Sequence, residues 1–434
     1  MERSIMKSLE VWKNKKNRKP LILQGARQVG KTWVMKEFGD RYYKSVAYVN
    51  LDANVSIKNS IEIDYDVARI IEDIEIETKT KIIPEETLII LDEIQEVPKA
   101  ITTLKYFCEN AQQYHIIVAG SFLGVAINKG TSYPVGKVNI LKLYPMSFVE
   151  FLCANGEEQL AQYAKNYESD KNITFKEKYI RYLKSYYFVG GMPEAVKSFV
   201  ENKDYGEVRA IQNEILTLYE NDFSKHIANR SELERTRMVW NSIPVQLAKE
   251  NKKFFFGQIK KGARSAEYEI SIQWLIDCGL LYKVYCVNKP GMPLKSYREL
   301  NAYKLFTLDV GLLGAMSELD VKSLLEGNRV FVEFKGAMSE QYVLQQLLTT
   351  EYTPYYYSNE QSRNEIDFLI QVNSDIVPIE VKAEENVYSK SLRAFMDKFK
   401  SEYAIRFSMN NYIKQNKIIN IPLWNVSGID KTSM

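Results

Sequence analysis

The chain has 434 residues, 45% of them hydrophobic and 26% charged, with a formal net charge of +3. Length predicts two to four domains and composition predicts a globular fold, while the charge neither demands nor excludes nucleic acid. Two histidines and four cysteines without metal spacing argue against zinc hydrolysis, Ser–His nucleophilic chemistry and a disulfide framework.

Residues 1–150 alternate apolar strands with helical patterns, the signature of a parallel-sheet α/β domain. Strands are expected at Leu21–Leu23, Val46–Leu51, Leu88–Leu91 and Ile116–Ala119, and a helix from Ala100 to Gln113. The basic run Lys13–Lys19 reads as a solvated loop. Met1-Glu-Arg-Ser-Ile-Met lacks a signal-peptide core and no apolar run is of membrane-spanning length. A cytoplasmic protein without a membrane partner is the expectation.

After the first strand comes Gly25-Ala26-Arg27-Gln28-Val29-Gly30-Lys31-Thr32, followed by the helix-compatible Trp33–Phe38. This is G-x-x-x-x-G-K-[ST] in the strand–loop–helix order that a phosphate-binding loop needs. Glycines let the backbone curl so that its N–H groups point at phosphate oxygens, and the helix start adds its positive dipole end. Gly25 through Trp33 are therefore candidate nucleotide-binding residues, with Lys31 on the β- and γ-phosphates and Thr32 on Mg²⁺.

Leu88-Ile89-Ile90-Leu91 is a buried-strand pattern ending in Asp92-Glu93. Acids at the carboxyl end of a parallel strand sit where open α/β sheets bind ligands. Asp92 is expected to support the Mg²⁺ and Glu93 to act as general base toward water. The strand Tyr114–Ala119 leads to Gly120-Ser121. Ser121 either senses the γ-phosphate or caps a turn.

From about 150 to 230 the pattern is helical, broken by the turn Gly190-Gly191-Met192-Pro193; Gly156–Asn172 reads as a surface loop or helix edge. A helix from Glu267 to Cys278 is expected to turn Ile270, Trp274 and Leu275 inward and to stop at Gly279. With the strand Leu280–Val287 and the turn Asn288–Pro293 it outlines a winged helix. Lys249, Lys252, Lys253, Lys260, Lys261 and Arg264 make the preceding segment basic, whereas Glu267, Glu269 and Asp277 make the groove-entering helix acidic. That face would repel phosphates, so protein contact is expected ahead of duplex reading.

Near the C-terminus, Ile366–Ile370 and Val377–Lys382 read as strands, and Ser339-Glu340 opens a helix. Alternation puts Glu380 and Lys382 on one face, where Asp367 of a neighbouring strand can join them. Asp367, Glu380 and Glu340 are hard oxygen ligands suited to Mg²⁺ or Mn²⁺, and Lys382 can orient a water or stabilise a phosphorane. A salt bridge on a solvated sheet face is the competing reading. From Glu333 to Lys431 there are 11 basic against 13 acidic side chains, a poor balance for autonomous DNA capture.

The whole chain resembles the bacterial and archaeal ATP-binding proteins that join an AAA+-type ATPase to a C-terminal domain of unknown function. The matching stretches are Gly25–Thr32, Leu91-Asp-Glu-Ile-Gln-Glu-Val-Pro, Ala119-Gly-Ser and Leu143-Tyr-Pro-Met-Ser-Phe-Val-Glu-Phe-Leu. Gly190-Gly-Met-Pro-Glu-Ala, Lys260-Lys-Gly-Ala-Arg-Ser, Asp309-Val-Gly-Leu-Leu, Lys335–Val343, Glu365-Ile-Asp-Phe and Pro378-Ile-Glu-Val-Lys complete them. The resemblance implies an α/β fold of four parts: a P-loop AAA+ core over 1–150, a helical lid over 151–230, a winged-helix module over 231–322 and a PD-(D/E)xK nuclease-like domain over 323–434. On that pattern Asp367, Glu380 and Lys382 fall on the nuclease signature and Glu340 on its helical acid. Relatives often carry Gly-Arg where this chain has Gly136-Lys137. If that arginine is the arginine finger, lysine gives up its planar fork; Arg230, Arg235 and Arg237 are alternative candidates.

The expected function is Mg²⁺-dependent ATP binding and hydrolysis that switches a C-terminal nuclease-like domain, with DNA as a candidate substrate. The alternative is an ATP-gated switch for protein or DNA binding whose nuclease fold is catalytically inactive. Expected cofactors are ATP and Mg²⁺, with a second Mg²⁺ or Mn²⁺ in the C-terminal domain. Candidate partners are DNA, a second protein and further copies of this chain.

Overall fold

A computed structural model describes residues 1–121, 134–249, 252–324, 332–359, 364–383 and 390–429. Two compact units result, one of Arg3–Tyr144 with Asp277–Leu280 and one of Pro145–Ile276 with Leu281–Met434 and Met1–Glu2. The expected lid, winged-helix and terminal segments thus share the second unit.

In the first unit, β1 (Leu21–Gln24), β2 (Ser45–Asn50), β3 (Thr87–Asp92), β4 (His115–Ala119) and β5 (Asn139–Lys142) form a sheet of order β2-β3-β4-β1-β5. All its pairings are parallel. Every residue of β3 and β4 is buried, as their continuous apolar runs require. The strand β5 is half-buried and alternating; its polar Asn139 and Lys142 hide it from a search for apolar runs. The helices are α1 (Ile5–Lys13), α2 (Lys31–Tyr42), α3 (Val55–Ile63), α4 (Val67–Thr78) and α5 (Pro98–Asn110). Asn54 and Asp66 cap α3 and α4 by accepting from backbone N–H groups of the first turns. Ile57, Ile61, Ile70, Ile71 and Ile74 from those helices pack in one core with Ala47, Ile89, Leu91, Ile116 and Val118 of the sheet. Register pairs Ile22 with Val118, and Leu91 with Val118, so β1, β3 and β4 end at one edge.

The second unit begins with helices. These are α6 (Phe148–Ala154), α7 (Glu158–Ala164), α8 (Lys171–Thr174), α9 (Lys176–Val189), α10 (Pro193–Asn202), α11 (Tyr205–His226), α12 (Arg230–Leu247), α13 (Phe256–Ile259) and α14 (Ser265–Asp277). Ser147 and Glu150 form a reciprocal capping box at α6. Ile270 points outward, at 68% exposure, correcting the expectation that it faces the core. The buried stripe of α14 runs through Tyr268, Ser271, Ile272 and Leu275 at helical spacing, and Ile270 falls on the opposite side. The helix stops at Gly279, whose φ of +75° suits glycine.

An eight-stranded mixed sheet follows, built from β6 (Leu281–Cys286), β7 (Glu299–Thr307), β8 (Tyr355–Ser358), β9 (Glu365–Val372), β10 (Asp375–Val381), β11 (Ala404–Ser408), β12 (Ile413–Gln415) and β13 (Ile418–Pro422). Its order is β12-β13-β11-β10-β9-β8-β6-β7. With α15 (Val310–Met316), α16 (Val332–Leu347) and α17 (Lys390–Phe399), the last part of the chain reads α16-β8-β9-β10-α17-β11. Here β9 and β10 are antiparallel while β10 and β11 are parallel. The hairpin β6–β7 joins the same sheet through Cys286 beside Tyr356.

Asp309 is the hub of a buried polar network that gathers several of the sequence motifs. Its carboxylate accepts from Gly311 N (2.9 Å) and Leu312 N (3.1 Å), capping α15, and from Gly191 N (2.6 Å) and Gln345 Nε2 (2.9 Å). Gly190 has φ +72°, and a Cβ there would lie 2.0 Å from Asp309 Oδ1. Met146 N donates to Gly191 O at 2.7 Å, and Phe148 N to Gln346 Oε1 at 2.8 Å. The Gly190-Gly191, Asp309 and Gln345-Gln346 positions are therefore explained by packing.

Candidate functional site

The phosphate-loop motif spans the turn from β1 to α2. Gly30 takes φ +92° and Gln28 φ +65°, the left-handed backbone that curls the loop. A Cβ on Gly25 would lie 2.4 Å from Leu143 O, so only glycine fits there. Arg3 braces the loop from outside, donating to Val29 O at 2.9 Å and Tyr144 O at 2.6 Å. Ala26 and Val29 are buried, and Arg27 and Trp33 are exposed.

Lys31 reaches back into the loop, its Nζ 3.0 Å from Gly25 O and 2.8 Å from Ala26 O. Burial lowers its pKa to about 8, against the raising pull of Glu93 and Asp92. Thr32 Oγ1 donates to Asp92 Oδ2 at 2.6 Å. Tyr48 OH, from β2, donates to the same oxygen at 3.3 Å. Burial, then the neighbouring Asp92, push the Tyr48 phenol up to about 12. Glu93 adopts a left-handed backbone, φ +52°, and its Oε2 accepts from Gln95 Nε2 at 2.6 Å. The structure thus brings together Lys31, Thr32, Asp92 and Glu93, and it adds Tyr48 and Arg3, which lie outside every motif, and Gln95, which lies within the Leu91–Pro98 stretch without an assigned role. Ser121 is buried just beyond β4 at the same sheet edge. The donor set fits Mg²⁺: a hydroxyl and a carboxylate oxygen already meet beside the loop, and both are hard ligands.

Lys137 is paired with Glu109 at 2.8 Å on the surface, and Arg230 with Glu234 at 3.4 Å. Arg237 donates to Ser224 Oγ at 2.8 Å.

A second cluster lies in the second unit. Asp367 Oδ2, on β9, accepts from Val381 N at 2.7 Å. Lys382 Nζ pairs with Glu380 Oε1 at 2.8 Å, so those two share a face as alternation predicts. Glu340, on α16, is buried and pairs with Lys252, and with Lys304 of β7 at 3.5 Å. Lys304 is fully buried and also pairs with Glu365 Oε1 at 2.5 Å. Burial alone would lower the Lys304 pKa, but Glu365, Glu340 and Asp367 hold it above the usual lysine value. Burial opposes ionisation of Glu340, and Lys252 and Lys304 override it, leaving its pKa below the ordinary carboxylate value. Asp367 is pushed up by burial and by Glu340. Burial alone would lower the Lys382 pKa, but Glu380, then Asp367 and Glu340, hold it above the usual lysine value.

These residues do not fit a second divalent cation. Two ammonium groups stand on Glu340, the acid expected to be a ligand, and one of them also holds Glu365. Among the described residues no group of three or more His, Cys, Asp or Glu side chains is disposed to hold a metal ion. The expected Mg²⁺ or Mn²⁺ set of Glu340, Asp367 and Glu380 is corrected to a carboxylate–ammonium cluster. Sequence reading gave no role to Lys304, or to Glu365 within the Glu365-Ile-Asp-Phe stretch; a lysine amid the apolar residues Tyr303, Leu305 and Phe306 is the signal that could have found the first.

A family model described as an AAA domain matches residues 17–152. Two models described as domains of unknown function, DUF8612 and DUF4143, match residues 180–323 and 335–426. Comparison with curated proteins returns no match. Among solved structures the chain is similar to a Walker-type ATPase of Pyrococcus abyssi, with 15% identity and a TM-score of 0.44 over 72% of this chain and 94% of that one. It is also similar to the Orc1 protein of Aeropyrum pernix solved in complex with DNA, at 13% identity and TM-score 0.28 over 72% and 90%. Cdc6p of Pyrobaculum aerophilum gives 11% identity and TM-score 0.27 over 74% and 93%. Among the described residues no helix is long and apolar enough to cross a membrane. The AAA model covers all five strands of the parallel sheet and the loop and acids at its edge, so residues 17–152 match an AAA domain.

Proposed function

We propose that this chain is a Mg²⁺-dependent ATPase whose nucleotide cycle switches a nuclease-like C-terminal module. The observation that carries the reading is the 2.6 Å contact of Thr32 Oγ1 with Asp92 Oδ2 directly beside Lys31. The loop N–H groups of Gly25–Thr32 cradle phosphate oxygens, with Trp33 beside them, and Lys31 turns from the loop carbonyls to the β- and γ-phosphates. Thr32 and Asp92 would hold Mg²⁺, which would neutralise phosphate charge there. Glu93 accepts a proton from the attacking water, and Gln95 and Tyr48 orient Glu93 and Asp92. Ser121, at the same edge, is the candidate γ-phosphate sensor. An arginine finger acting from a neighbouring copy, with Arg230, Arg235 and Arg237 as the candidates, would add charge to the transferring phosphoryl group, since Lys137 lacks the planar fork. The test is nucleotide binding: Lys31→Ala should abolish it in a chain that still folds, and undiminished binding would refute this assignment.

The order α16-β8-β9-β10-α17-β11 supports the nuclease-like reading of the C-terminal module, and the α12–α14 helices with the β6–β7 hairpin support a winged helix. Orc1 was solved in complex with DNA, which makes DNA the first nucleic acid to try. The lysine pairs on Glu340 favour a second reading, in which the module binds a partner protein and does not cleave. Salt separates the two. Phosphate contacts give a steep fall of affinity with salt, and protein contacts a shallow one.

A further inference from the structure

The five-stranded sheet of the first unit ends in β5, and the outer side of that strand offers free backbone groups. Asn139 N donates to Pro20 O and Leu143 N to Gln24 O, so alternate residues of β5 face β1. Ile140 and Lys142, between them, turn their N–H and C=O groups away from the sheet. Among the described residues no strand pairs with β5 on that side. Beside the edge, a groove of about 340 Å³ runs between α1 and β5. Trp12 and Leu21 supply buried apolar lining, while Val11 and Ile140, which also line it, are 71% and 45% exposed. Lys7 and Lys15 line the same groove, and among its described lining residues there is no acid. Neither ammonium group has an ion-pair partner among the described residues. Lys7, Val11 and Lys15 succeed one another at steps of four positions, which brings a cation, an apolar side chain and a second cation to the groove side of α1 and the turn after it.

We propose that the outer edge of β5 takes an extended segment of a partner protein as a sixth strand, and that this segment carries two carboxylate side chains with an apolar one midway between them. Main-chain hydrogen bonds to Ile140 and Lys142 supply affinity, and the groove and its lysines supply selection, as in other cases of strand addition. Spacing sets the motif. Lys7 and Lys15 are eight positions apart, or about 12 Å along a helix. A strand advances about 3.3 Å per residue, so carboxylates about four residues apart reach both lysines. Residues at i, i+2 and i+4 share a face of a strand, which puts the middle side chain over Val11 between the two ion pairs. Lysines beside a free edge ordinarily deter pairing with unrelated strands. Here a strand bearing carboxylates relieves that repulsion and a basic or wholly apolar strand does not, so the deterrent becomes the source of specificity. The contact lies wholly within the first unit and uses none of the residues placed at the phosphate loop.

The test uses the full chain without nucleotide. The probes are two dye-labelled peptides, Thr-Glu-Thr-Val-Thr-Glu-Thr and Thr-Lys-Thr-Val-Thr-Lys-Thr, read by fluorescence anisotropy at low salt. The glutamate peptide should bind at least tenfold tighter than the lysine peptide, and Lys7→Gln/Lys15→Gln should bring the two to equal affinity. Hydrogen exchange read by mass spectrometry should slow severalfold at the Ile140 and Lys142 amides when the glutamate peptide is bound, and stay unchanged at Leu141. Lys142→Pro removes an outward N–H and none that β5 gives to β1, a position where an edge strand tolerates proline. It should lose the peptide and keep the thermal melt of wild type. No binding of the glutamate peptide, or binding that leaves the Ile140 and Lys142 amides unprotected, would overturn the proposal, as would undiminished binding by folded Lys142→Pro. If Lys142→Pro does not fold, the exchange pattern of wild type decides. Self-association in sedimentation that Lys142→Pro abolishes would overturn the partner assignment in favour of a second copy of this chain.

Discussion

Thr32 Oγ1 donates to Asp92 Oδ2 across 2.6 Å, tying the first turn of α2 to the last residue of β3. The two residues come from separate motifs, and parallel pairing of β3 with β4 and of β4 with β1 carries them to one sheet edge. Tyr48 OH adds a second donor to the same carboxylate oxygen. The acid is thus oriented by its own fold, which is what the metal-supporting role proposed for it requires.

Gly190→Ala should destabilise the second unit by roughly 2–5 kcal/mol, combining a left-handed backbone with forced overpacking. Its Cβ would lie 2.0 Å from Asp309 Oδ1, the centre of the Gly191, Gly311, Leu312 and Gln345 contacts. Urea unfolding measures this, and a change near zero would mean that the hub yields without cost.

Lys304→Met keeps the volume of the stem and removes the charge. It leaves Glu365 without its 2.5 Å partner and Glu340 with Lys252 alone. Breaking a buried pair from one side costs roughly 3–5 kcal/mol. The double variant Lys304→Met/Glu365→Gln should recover part of that loss in a thermal melt, and simple additivity of the two losses would argue against direct pairing.

His115 sets a pH dependence. Its ring is buried, with Nδ1 2.6 Å from Tyr43 OH, and burial together with the Arg18 and Lys13 cations lowers its pKa to about 3. The unfolded chain takes up a proton near pH 6.5 and the folded chain does not. Stability linked to this group is therefore complete above about pH 6.5 and falls as pH drops toward 3, by up to ~1.4 kcal/mol per unit. Urea midpoints of wild type and His115→Gln across pH 7.5 to 4.5 check it, and the slope should be shallower in the variant.

The candidate nucleotide site is legible in sequence because its signals are local. Eight consecutive residues specify the loop, and a buried run ending in Asp92-Glu93 specifies the strand edge. Long-range pairing is not legible in this way. Lys252 and Glu340 are 88 positions apart, and only the fold shows that the lysine stands on the acid. Three carboxylates in nuclease-like spacing read as a metal site because spacing records where ligands are and not which cation reaches them. Ile270 fails for a different reason: α14 has two apolar sides, and its phase is decided by Tyr268 and Ile272 packing inward. The motifs around Gly190, Asp309 and Gln345 are visible as motifs but carry no chemistry, since their partners lie more than a hundred residues apart in some cases.

The most direct test of the account is steady-state ATP hydrolysis by the full chain with Mg²⁺, wild type beside Glu93→Gln. The account predicts Mg²⁺-dependent turnover in wild type and a fall of about 10²–10⁴-fold in the variant, with nucleotide binding retained. Equal turnover in the two proteins, or a wild type that binds no ATP, would contradict it.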